Sequence, residues 1–147
     1  RFLALRFFTV YGPRQRPYLV IYKFLMLMRQ GKEITLYGDG STRRDYTYTD
    51  DIVDGVIAGI DYKDSMFKVI NLGNNETVEL LELVETIEKS CGISPKKTFA
   101  PAQLGDVSQT WANVTKARKL FNYQSEYSLS KGLSEFVDWF TWKNSQK

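Results

Sequence analysis

RFLALRFFTVYGP, residues 1–13, is an apolar run interrupted by a single internal arginine, and it stops abruptly at Tyr11-Gly12-Pro13. From Phe2 to Val10 no polar face alternates with an apolar one, the pattern of a strand buried on both faces of a parallel sheet. Phe67 to Leu72 forms a second strand of the buried type. Two such strands, dozens of residues apart, are too few to cover both faces of a sheet. They are expected to be edge members of a larger sheet, flanking a gap and leaving apolar area exposed for association between copies. A chain that opens on such a run without an initiator methionine reads as a fragment, one unit over residues 1–147 with a single core.

Working outward, LVIYKFLMLMRQG at Leu19 to Gly31 reads as a buried helix closed by glycine. Ile34 to Tyr37 is a short strand, GDGST a turn, and Arg44 to Tyr48 a further strand of alternating polar and aromatic residues. Asp50 or Asp51 is placed to cap the helix DIVDGVIAGID, in which Gly55 and Gly59 share one face for close packing. Val78 to Ser90 is an amphipathic helix ended by Gly92, and Lys97 to Ala100 a short strand. Pro101 to Thr110 is a loop and Val114 to Phe121 a helix. The closing helix, Leu129 to Trp142, turns Leu133, Phe136, Val137 and Phe140 to one side. Strands alternate with helices, so the class is α/β.

Composition removes several functions. The net charge of +3 shows no basic excess of the kind that tracks a nucleic-acid backbone. The absence of histidine removes the commonest metal ligand and general base. With Cys91 alone no disulfide framework forms, and a reducing, cytoplasmic setting is expected. No apolar run reaches the roughly 18 residues that span a bilayer, so no membrane partner is expected.

Two motifs imitate cofactor chemistry. GDGSTR at Gly38 lacks the third glycine of a dinucleotide turn and opens no helix. Tyr127 and Lys131 have the spacing of a tyrosine base with its lysine, but the tyrosine precedes the helix start at Leu129. Arg43 and Arg44, between a turn and a strand, suit phosphate, since a guanidinium fixed at a strand entrance can grip it with two parallel hydrogen bonds; they also suit a solvated pair, with Arg43 as the solvated member. Asp106, after Gly105, suits ribose hydroxyls or an ordinary turn.

In order, the blocks LRFFTVYGPRQRP from Leu5, LYGDGSTRRDYTYTDDIVDGV from Leu36, VINLGNNETVELLELVETIE from Val69, APAQLGDVSQTWANVTKARKLFNY from Ala100 and LSKGLSEFVDWF from Leu129 resemble the second half of nucleotide-sugar epimerases of the extended short-chain dehydrogenase group. The resemblance implies the substrate-binding part of that fold, carrying edge strands of an incomplete Rossmann-type parallel sheet. It implies Arg44 on the nucleotide diphosphate, Asp106 on the ribose, Tyr37 at the uracil pocket, and Leu19 and Val20 near the same nucleotide. Thr9 and Gln103 replace residues usual in UDP-glucose 4-epimerases. With Arg16 they are similar to UDP-glucuronate 4-epimerases, where the threonine and this arginine help hold the sugar carboxylate, a group suited to hydroxyl and guanidinium donors. The implied reaction uses NAD bound by another half of the protein, with no catalytic or cofactor residue in this chain and a UDP-sugar as ligand; the exposed apolar area makes a homodimer or other self-association the expected assembly. Another nucleotide-sugar enzyme on this scaffold, or a non-catalytic nucleotide-sugar module, is the alternative.

Overall fold

The opening apolar run is two strands, because its two halves pair with different partners. In the computed structural model, which describes residues 1–146 and leaves Lys147 outside the described residues, β1 is Phe2–Phe7 and β2 is Thr9–Tyr11. After them come α1 (Val20–Arg29), β3 (Glu33–Tyr37), β4 (Arg43–Arg44), β5 (Tyr46–Tyr48), α2 (Thr49–Ile60) and β6 (Phe67–Leu72). The chain continues with β7 (Val78–Glu79), α3 (Leu80–Cys91), β8 (Lys96–Ala100), α4 (Thr115–Phe121) and α5 (Leu129–Ser145).

The class is α/β, with short parallel sheet pieces: β1 with β6, β2 with β5 and β3 with β8, while β4 and β7 are antiparallel. The expected gap between Phe2–Val10 and Phe67–Leu72 is not there. β1 and β6 lie side by side in register, Phe2 opposite Phe67 through Phe7 opposite Leu72. The intervening segment supplies the long crossover a parallel pair requires. At one end of the pair Phe2 and Phe67, each 62% exposed, stack with ring centroids 5.7 Å apart, and Phe7 at the other end of β1 is also exposed.

α2 packs across this pair through its glycines. A Cβ on Gly55 would come within 2.7 Å of the buried Leu72 side chain, so that position needs the bare backbone, while one on Gly59 would press on Leu3 at 3.0 Å. The expected aspartate cap is not made. Tyr48 occupies the cap position, and Asp51 is buried, its carboxylate accepting from Glu126 N at 2.9 Å, Tyr127 N at 3.3 Å and the Ser125 hydroxyl at 2.9 Å. A buried carboxylate needs every donor in reach, and the 125–127 segment supplies more than a helix start would.

The expected strand Arg44 to Tyr48 is likewise divided, at Asp45. This fully buried residue accepts from Asn74 N (2.8 Å), Asn75 N (3.0 Å), Ala112 N (3.1 Å) and the Thr47 hydroxyl (3.0 Å). It ties together segments of two apolar clusters, so the core is double where a single one was expected. One cluster joins α1, β3, α3 and α5 through Leu25, Ile34, Leu83 and Phe136; the other joins β6, α2 and α4 through Ile70, Leu72, Ile52 and Ala117. The expected apolar side of α5 is buried, and Gly92 closes α3 at φ 67°. Val78 and Glu79, expected in that helix, pair with Arg44 and Arg43 instead.

Candidate functional site

α1 buries Ile21, Tyr22, Phe24, Leu25 and Met28, which leaves Lys23 exposed one turn from the helix start. That start, the end of β3 and the β2–β5 pair enclose a cleft of about 430 Å³. Seven of the eight residues selected from sequence line it: Thr9, Leu19, Val20, Tyr37, Arg44, Gln103 and Asp106. Arg16 does not. It lines an adjoining hollow of about 300 Å³ that shares Tyr18 and Leu19 with the cleft, and its guanidinium donates to the Tyr18 hydroxyl at 2.6 Å.

Local chemistry explains how Arg44 and Asp106 meet. Gln103 to Asp106 is a tight turn, closed by Asp106 N donating to Gln103 O at 3.2 Å, with Gly105 at φ 83° in the third position, where a positive φ favours glycine. The loop is then pinned to β4, with Arg43 N donating to Ser108 O at 2.8 Å and Thr110 N donating to Arg43 O at 3.1 Å. Asp106 is thereby held against Arg44, and the two form an ion pair. A second Arg44 nitrogen donates to the Arg43 carbonyl at 2.8 Å. Arg43 is not a solvated bystander: its guanidinium donates to the Thr77 hydroxyl and carbonyl, each at 3.0 Å, and to Glu79 at 2.6 Å.

The cleft also holds residues that the sequence did not single out, among them Lys23, Tyr46, Thr35 and Phe24. A lone cation within the apolar run of α1 was the available signal for Lys23. Tyr46 is buried, and desolvation pushes its phenol up to about 12, with Arg44 opposing and Asp106 adding to the rise. It is therefore a neutral wall near pH 7.

The two cofactor-like motifs have structural roles. Asp39 accepts from the Ser41 amide at 2.9 Å and the Ser41 hydroxyl at 2.6 Å, bonds that hold its carboxyl below the usual range, and the turn runs into β4, not a helix. Such a turn does not fit a dinucleotide pyrophosphate. Tyr127 stacks on Tyr48 with centroids 4.3 Å apart, and the Lys131 ammonium sits 3.8 Å from its ring centre. Desolvation and the carboxylates of Glu135, Asp50 and Asp51 raise the Tyr127 phenol, the opposite of what a phenolate base requires. Among the described residues no cluster of metal-ligating side chains occurs, and no helix is long and apolar enough to cross a membrane.

Residues 1–73 match the NAD dependent epimerase/dehydratase family. The chain belongs to that family. A UDP-glucuronate 4-epimerase of Thermodesulfobacterium geofontis is 38% identical over 137 residues, 92% of this chain and 42% of that protein. The solved UDP-glucuronic acid 4-epimerase from Bacillus cereus, in complex with UDP-glucuronic acid and NAD, superposes with a TM-score of 0.88 at 38% identity, covering 95% of this chain and 45% of that one. A UDP-glucose 4-epimerase with UDP-glucose from Thermotoga maritima gives 0.89 at 30% identity, covering 99% and 47%. The chain thus spans less than half the length of these family members. The likeness to nucleotide-sugar epimerases read from the five sequence blocks holds over nearly all of it.

Proposed function

We propose that the cleft grips the UDP-sugar of an NAD-dependent nucleotide-sugar 4-epimerase that interconverts UDP-glucuronate and UDP-galacturonate. Arg44 takes the diphosphate, Asp106 the ribose hydroxyls, and Tyr37 flanks the uracil. Leu19 and Val20 lie along the nucleotide, and Gln103 lines the same cleft as a neutral side chain. Thr9 in the cleft receives the sugar carboxylate together with Arg16, which reaches it from the adjoining hollow in place of its bond to Tyr18. The observation that carries this reading is the gathering of a buried-side guanidinium, an accessible carboxylate and two aromatic walls in one cleft of nucleotide size. The 38% identity to a UDP-glucuronate 4-epimerase supports this sugar, while a UDP-glucose epimerase relative from Bacillus subtilis at 36% keeps glucose as the alternative. In this reading NAD and the groups that move hydride and proton belong to residues beyond these, and this chain alone turns over no UDP-sugar. The exposed Phe2, Met66 and Phe67 at the end of the β1–β6 pair support a further sheet packing there.

One calorimetric series tests the assignment, with UDP and UDP-glucuronate titrated into wild type, Arg44→Ala and Arg16→Ala. Losing a charge-assisted contact of roughly 1.5 to 3 kcal/mol, Arg44→Ala weakens both ligands by about 10-fold to 150-fold. Arg16→Ala weakens UDP-glucuronate by about tenfold and leaves UDP unchanged. An Arg44→Ala protein that binds UDP normally removes the diphosphate assignment, and equal losses of both ligands in Arg16→Ala remove the carboxylate assignment.

A further inference from the structure

The two charged side chains assigned to different parts of the ligand are bonded to each other. Arg44 pairs with Asp106 while its second nitrogen stays on the Arg43 carbonyl. The arginine side chain is 18% exposed and the aspartate 44%, so the guanidinium is embedded and the carboxylate is the accessible partner. The turn at Gly105 and the pinning of Ser108 and Thr110 to β4 hold Asp106 in place, so the pair is built into the loop. Lys23, the other cation lining the cleft, forms no ion pair among the described residues and attracts any anion equally.

We propose that Asp106 makes this cleft selective for nucleoside diphosphates over bare phosphate and pyrophosphate, an inference that rests on the nucleotide reading above. An anion that takes Arg44 must displace the carboxylate and then lie beside it, an uncompensated like-charge contact. A ligand bearing vicinal hydroxyls removes that penalty, because it supplies Asp106 with donors in exchange for the lost guanidinium. The same carboxylate therefore obstructs one class of ligand and accepts the other.

The test is calorimetry on the intact protein with inorganic pyrophosphate, UDP and uridine, comparing wild type with Asp106→Asn. The variant keeps the size of an exposed side chain, and circular dichroism verifies that it is folded. Pyrophosphate affinity is expected to rise by about threefold to fivefold, from loss of an exposed ion pair that competes for Arg44. Uridine affinity is expected to fall, and the advantage of UDP over pyrophosphate to shrink by about tenfold. If Asp106→Asn binds UDP while its pyrophosphate affinity is unchanged or lower, the inference is wrong and the nucleotide reading stands. If wild type fails to bind UDP, that reading fails and this one with it.

Discussion

Asp45 and Asp106 stand close to the same guanidinium run in the fold, yet they do opposite work. Asp45 is sealed beneath the cleft, where donors from Asn74, Asn75, Ala112 and Thr47 converge on its two oxygens. Asp106 stands on the rim with one cationic partner and 44% of its side chain in solvent. A carboxylate surrounded by fixed backbone N–H groups has no lower-energy alternative, so it specifies structure. One that shares a single guanidinium with water can exchange partners at little expense, and exchange is what ligand binding requires.

The largest effect is expected at Asp45. Asp45→Ala leaves three backbone donors, that of Ala112 fully buried, and a buried threonine hydroxyl without an acceptor, and separates segments that belong to both clusters. Urea unfolding is expected to show a loss of about 3 to 5 kcal/mol, the cost of leaving several donors unsatisfied at about 1 to 3 kcal/mol each. Asp106→Ala, by contrast, should cost less than about 1 kcal/mol. Similar losses at the two sites would mean that burial does not separate their roles.

Tyr46 lies between the two regions, buried on the floor of the cleft, and its effect is smaller. Because burial raises its folded pKa from 10.0 to about 12, the unfolded chain loses this proton first as pH rises. The stability contributed is whole below pH 10 and is lost between pH 10 and 12, with about 1.4 kcal/mol gone by pH 11. Tyr46→Phe should therefore unfold with a shallower alkaline slope than wild type over that window. Parallel slopes would place the phenol in contact with water.

The alternation of strands and helices was legible because it depends on local periodicity, and Leu133, Phe136, Val137 and Phe140 are buried as that period requires. The cleft residues were legible only through the order of motifs, since Arg44 and Asp106 are 62 positions apart and nothing local links them. What could not be read was which polar group the fold would bury. Asp51 has the residue type and position of a helix cap, and only the arrival of residues 125–127 makes it a buried acceptor. Nor could pairing be read: Phe2 to Val10 is one apolar run, and its division at Phe8 follows from two partners far along the chain.

The smallest expected effect is at Arg43, and it tests the comparison most closely because Arg43 adjoins Arg44 in sequence. Its guanidinium reaches Thr77 and Glu79 across the β4–β7 pair, away from the lining of the cleft. With 37% of the arginine and 44% of the glutamate side chain exposed, solvent screens that ion pair, so Arg43→Ala should lower stability by only about 1 kcal/mol. Its backbone bonds to Ser108 and Thr110 survive the substitution, so the Asp106 loop stays anchored. UDP affinity is then expected to remain within about twofold of wild type, measured beside the much larger loss in Arg44→Ala. If Arg43→Ala loses binding as severely as Arg44→Ala while its unfolding curve is unchanged, the frame and the grip have been assigned to the wrong arginines.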